Sequence, residues 1–256
     1  MAQFETAVRR DSAYAQQIDA GLRAHMNAIY SLMAAAMVVT GGIAYVFGNE
    51  LLRATTTGET AILPIGLLAT LYSSPMVYVI MFAPLALVFL FAFRANTMSA
   101  ASANMVFYAF AALMGLSIAT IFVRFTGMSI AQTFFVTAIA FLGLSLYGYT
   151  TKKDLSGMGA FLIMGVIGLI VASIVNIFLE SSALQFAVSA IGVLIFAGLT
   201  AYDTQRLKTE YVAMAQMGMA GGREMQISAA SGALSLYLNF LNMFMFLLQF
   251  LGQSRE

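Results

Sequence analysis

Apolar residues gather into runs long enough to cross a bilayer core of about 30 Å, which takes roughly 20 helical residues. Seven runs have this character, at 29–47, 76–93, 105–123, 130–149, 158–179, 184–202 and 233–251. A helix turns about 100° per residue, so Gln185, Ser189, Gly192, Thr200 and Asp203 share one narrow side of the sixth run. Ser228, Ser231, Ser235, Asn239, Asn242 and Gln249 share one side of the seventh. A polar group facing hydrocarbon is strongly disfavoured, so both stripes are expected to point into protein or towards a wet cavity. Functional groups are sought there.

The remaining pattern is mostly packing. Segment 61–72 is apolar and contains Pro64, but it is too short to cross and reads as an interfacial or re-entrant piece. Pro84 removes one backbone hydrogen bond from the second span and invites a kink. Gly165, Gly168, Ala172 and Asn176 form a small-residue face on the fifth span, with an amide placed to bond across it. Gly115 and Ala119 do the same on the third. No internal repeat is visible, and the glycines of 217–222 precede no Lys-Ser/Thr pair, which excludes a phosphate-binding loop.

Composition turns this pattern into a class. With 61% hydrophobic and 9% charged residues, against about a quarter charged in soluble domains, the chain is predicted to be an all-α integral membrane protein of one domain. The expected division is a cytosolic arm at 1–28, a seven-helix domain at 29–251 and a short tail at 252–256. His25, the one histidine, reads as a solvated residue of that arm. Arg9, Arg10, Arg23, Arg94, Lys152, Lys153, Arg206, Lys208 and Arg223 fall on one side of the membrane, against Arg53, Arg124 and Arg255 on the other. This bias predicts the N-terminus in the cytoplasm and the C-terminus outside. No basic run is dense enough for nucleic acid, and zero cysteines remove disulfide, thiolate-metal and thiol chemistry.

Enzymatic readings fail on inventory. An intramembrane aspartyl protease needs two carboxylates within the spans, where only Asp203 is read, and a serine dyad lacks its base. There is no HExxH or carboxylate-histidine cluster for zinc and no cofactor signature. Two readings of Asp203 stand side by side. In one, with Thr200 and Ser189 on its face and Asn239 and Ser235 opposite, it supplies hard oxygens of the kind calcium prefers. In the other it is a helix-end charge balanced by Arg206 and Lys208. Arg94 is likewise either a topology anchor or a cation at the depth of Asp203.

The motifs YDTQ at 202–205, SLYLNFLN at 235–242 and KKDLS at 152–156 resemble the Bax inhibitor-1 family, in particular its bacterial members. The resemblance covers nearly the whole chain and implies a bundle in which the seventh helix is surrounded by the other six. It also implies a pH-sensitive calcium leak in a bacterial inner membrane, with calcium as the passing ion. In such a leak two aspartates on the sixth and seventh helices share a proton, and an arginine on the second latches one of them. Asp203 matches the first aspartate and Arg94 lies at a position similar to the latch. Asn239 stands where the second aspartate would be, so acid sensing and calcium affinity are expected to be weakened. Thr200, Ser235 and Asn242 complete the expected ion path. The competing reading, also from the resemblance, is a modulator of a membrane-anchored AAA protease engaged through the N-terminal arm. Lipid is the partner both readings share, and no feature of the sequence sets an oligomeric state.

Overall fold

The computed structural model describes residues 2–73, 75–94, 97–219 and 221–255 and, for residues 2–15, the helical backbone alone. The arm residues Arg9, Arg10 and Asp11 therefore lie outside the described side chains. Nine helices follow one another among the described residues: α1 (Ala2–Thr57), α2 (Ile65–Tyr72), α3 (Met76–Arg94), α4 (Ala100–Ile118), α5 (Ile121–Arg124), α6 (Gly127–Thr150), α7 (Ser156–Leu179), α8 (Ser182–Gln216) and α9 (Arg223–Leu251). Seven helical stretches, with α4 and α5 counted together, are long and apolar enough to cross a membrane. The chain is a multi-pass, all-α membrane protein.

The helix of the first span begins well before residue 29. Leu22, Met26, Ile29 and Met33 recur at helical spacing and all are buried, so the core-facing stripe starts inside the segment expected to be a free arm. His25 lies on this packed stretch at 7% exposure, its ring tilted against Tyr211 of α8 at 5.1 Å. The expectation of a solvated histidine is thus corrected: α1 carries it under α8.

At its other end α1 runs ten residues past 47, and this extension buries a second carboxylate missed by the inventory of the spans. Glu50 turns inward, and its Oε2 accepts the backbone N–H groups of Ala61, Ile62 and Leu63 at 2.8, 3.1 and 3.4 Å. That turn leads through Pro64 into the eight-residue α2. Tyr72 closes the segment by donating to the Leu116 carbonyl at 2.9 Å. Burial pushes its phenol up to about 12, so it remains a donor through the ordinary pH range.

Which helix lies at the centre is set by the distribution of apolar surface. Half of the most apolar stretch of α9 is buried, against 11% for α7. The main neighbours of α9 are α8, α1, α6 and α4, while α3 rests chiefly on α4 and α7 on α8. The expected ring of six around the last helix is therefore a ring of four with two outliers. Inside it, the fully buried Tyr237 of α9 shares a 2.7 Å hydrogen bond with Thr40 of α1, whose hydroxyl also lies 2.8 Å from the Ala111 carbonyl of α4. One hydroxyl pair thus ties three helices.

Two close approaches fix helix spacing. Gly115 faces the Thr40 carbonyl, where a Cβ would sit only 2.8 Å from the oxygen. Gly148 of α6 lies directly on the Ala201 backbone of α8, leaving no room for any side chain. The face of α7 at Gly165 does meet α8, at Ile195, but Asn176 caps the following turn by accepting the Ser181 N–H at 3.0 Å. α3 runs through Pro84 without interruption.

Candidate functional site

α8 has 35 residues, and roughly 20 suffice to cross, so its later turns project past the hydrocarbon and Asp203 falls near the boundary. One turn there touches four elements, and the four residues of the YDTQ motif divide the work. Tyr202 covers Gly159 of α7, while Thr204 pairs with Ser145 of α6 at 3.0 Å. Gln205 clamps the 151–155 loop, donating to the Lys153 carbonyl at 2.7 Å and accepting the Leu155 N–H at 2.8 Å. Asp203 faces α9. Successive residues of a helix point about 100° apart, so four consecutive positions can serve four neighbours only where the helix is enclosed on all sides.

Asp203 is 8% exposed, and both of its oxygens are engaged. Asn239 Nδ2 donates to Oδ2 at 2.7 Å, and Arg206 Nη2 lies 2.9 Å from Oδ1. The same guanidinium reaches Ser235 Oγ at 3.5 Å, so the pair is bracketed by α9 on one side. Asp203 and Arg206 stand at i and i+3, neighbours on one helix face. The other nearby cation, Lys208, turns away: its Nζ donates to the Tyr149 carbonyl at 2.9 Å and lies 5.2 Å over that ring.

The polar stripes on α8 and α9 meet at two levels. Asp203 meets Asn239 near the boundary, and Ser189 donates to Gln249 Oε1 at 3.2 Å towards the far end. Between them the stripe residues turn back on their own helices, Thr200 to the Phe196 carbonyl at 2.8 Å and Asn242 to the Leu238 carbonyl at 2.9 Å. Ser231 is exposed. Arg94 is not drawn into the cluster. It is exposed at the end of α3, and Asp203's ion-pair partner is Arg206.

Calcium takes six to eight oxygens. Here the single carboxylate has both oxygens committed to N–H donors, and among the described residues no three acidic, histidine or cysteine side chains gather to hold a metal ion. The arrangement is a neutralised, hydrogen-bonded carboxylate. Of its two donors, Arg206 has 39% of its side chain exposed, whereas Asn239 is buried.

The family described as "Inhibitor of apoptosis-promoting Bax1" matches residues 22–256. The chain belongs to this, the Bax inhibitor-1 family. The match starts at Leu22, the first buried residue among the described side chains of α1. A Caulobacter vibrioides protein without an assigned function is 47% identical over 246 residues, covering 93% of this chain and 92% of the relative. An uncharacterised Rickettsia prowazekii protein is 40% identical, with 93% of each chain covered. The Escherichia coli protein named "Inner membrane protein YbhL" is 39% identical over 236 residues, covering 92% of this chain and 94% of that one.

Proposed function

We propose that the chain is a cation leak of the bacterial inner membrane, closed at Asp203, with calcium as its passing ion and no enzymatic activity. The observation that carries this reading is the closure itself: a buried carboxylate between α8 and α9, capped by an amide from one side and a guanidinium from the other. The Asp203 end is taken to face the cytoplasm, following the lysine and arginine bias, and an inner-membrane location accords with the name of the Escherichia coli relative. Opening is the departure of Arg206 from Oδ1, after which Asp203 and Ser235 present oxygen to an entering cation. Asn239 holds the other oxygen in either state. Because an amide has no proton to lose in the accessible range, the closure lacks the proton shared by two carboxylates, and acid sensing is weak.

The test is calcium flux into liposomes carrying the full-length protein, measured between pH 5 and 8. Asp203→Asn should abolish most of the flux, and Asn239→Asp should steepen its pH dependence by creating two carboxylates at hydrogen-bond distance. Flux and pH profile unchanged by both substitutions would remove Asp203 from the ion path.

A further inference from the structure

Both α1 and α6 pack on α9, and the seam between them holds a cavity towards each end. The cavity at the Asp203 end has a volume of about 560 Å³, within the usual range for small-molecule sites. Arg23, Asn27 and Tyr30 line it from α1, and Leu142, Leu146 and Tyr149 from α6. Leu142 and Leu146 are 66% and 63% exposed on a membrane-crossing helix, so the cavity opens sideways into hydrocarbon. Its mouth is cationic. Arg23 is exposed and has no ion pair among the described residues, and no acidic side chain lines the cavity. Asp19, one turn earlier on α1, does not line it, and Lys208 sits behind Tyr149 as a second positive charge.

We propose that this cavity is a binding site for an anionic phospholipid of the leaflet at the Asp203 end. Its phosphate lies against Arg23 and Asn27, and one acyl chain lies along Met26, Leu142 and Leu146. The groove between α7 and α8 supplies the contrast: about 490 Å³, lined by Leu162, Leu169, Val188 and similar residues with no polar side chain, it can hold a chain but cannot choose a headgroup. At the floor of the proposed site Tyr30 OH is hydrogen-bonded to Ser145 Oγ, which reaches Thr204 beside Asp203. A seated lipid therefore leans on the side chains that hold this turn of α8, yet its binding can be read without any flux.

The full-length protein in mild detergent, examined by native mass spectrometry, is titrated with phosphatidylglycerol, with phosphatidylcholine of the same chains, and with glycerol phosphate. Phosphatidylglycerol should be retained about fivefold better than phosphatidylcholine, the preference one interfacial arginine supplies. Arg23→Gln should erase that preference. Leu146→Trp and Leu142→Trp, at lipid-facing positions that leave the core intact, should each displace both lipids, whereas Gly168→Trp in the α7/α8 groove should leave the preference unchanged. Equal retention of the two lipids, an unaltered preference in Arg23→Gln, or displacement by glycerol phosphate alone would each overturn the proposal, the last by exposing a simple anion site.

Discussion

The arginine that neutralises Asp203 can be identified by a pair of double-mutant cycles. In the structure the partner is Arg206 at 2.9 Å, whereas Arg94 is exposed at the end of α3. The carboxylate side chain is 12% exposed and the guanidinium 39%, so solvent screens the pair partly and its coupling should be about 1 kcal/mol, the upper end for partly exposed pairs. Asp203→Asn keeps one oxygen for the Asn239 amide and turns its NH2 towards Arg206, so the substitution removes the guanidinium's hydrogen bond together with the charge and the cycle reads the whole ion-paired contact. Asp203→Asn combined with Arg206→Gln should therefore be less destabilising than the sum of the two by about that amount. The same carboxylate substitution combined with Arg94→Gln should be additive within about 0.3 kcal/mol, as for sites that share no partner. Unfolding in mixed micelles, followed by far-ultraviolet circular dichroism across a denaturing-detergent titration, gives the four stabilities of each cycle. Coupling in the Arg94 cycle and none in the Arg206 cycle would refute the assignment of the closing cation. Arg206→Gln is also expected to raise calcium flux in liposomes, since it frees Oδ1.

Three further outcomes follow from the packing. Tyr237→Phe removes one hydrogen bond but leaves Thr40 its carbonyl acceptors, costing about 1 kcal/mol, whereas Thr40→Val strands the Tyr237 hydroxyl and should cost about 2 kcal/mol in the same unfolding assay. The order reversed would mean that the tyrosine, not the threonine, joins the three helices. His25→Phe should hold or raise stability by about 1 kcal/mol, because Nε2 is buried without a hydrogen-bond partner and a phenyl ring keeps the stacking on Tyr211; a clear loss would show that the imidazole nitrogen is used. In the loop after α6, the Ser156 hydroxyl and N–H hold the Asp154 carboxyl below its ordinary 3.8. A depressed carboxyl stabilises the folded turn above that ordinary value and ceases to do so as pH falls through the lower, folded value. The protection of the Ser156 amide, its exchange rate relative to that of an unstructured amide at the same pH, should thus hold down to about pH 4 and be lost only under stronger acid. Loss of protection already between pH 6 and 5 would separate the turn from this carboxylate.

The crossing helices were legible because hydropathy along a membrane chain reports a single large effect, the exclusion of polar backbone and side chains from hydrocarbon. Asp203 and Asn239 were legible for the same reason: polar residues at helical spacing on α8 and α9 are turned away from hydrocarbon, and these two meet at 2.7 Å. Two features escaped. Glu50 lies past the end of the apolar run, where Gly48 and Asn49 suggest a stop, yet α1 continues through them to Thr57. His25 reads as solvated because the segment before it carries Arg9, Arg10, Asp11, Asp19 and Arg23, while Leu22, Met26 and Ile29 mark a buried face beside it. Arg206 was legible as one of two cations able to balance Asp203, three residues on along the same helix; that Lys208 turns to Tyr149 and Arg94 stays exposed at the end of α3 depends on tertiary packing, which spacing does not report.

Around Asp203, chemistry and replaceability run in opposite directions. An aspartate or an amide can be exchanged for its near-isostere and the bundle still closes, but Gly148 stands backbone against backbone with Ala201, two positions from the carboxylate, and even one methyl group there has to lever α8 away from α6. A saturation screen of this region would therefore find its least forgiving position at a residue that owns no functional group, and the depth at which the carboxylate sits in the bundle is decided by that empty place.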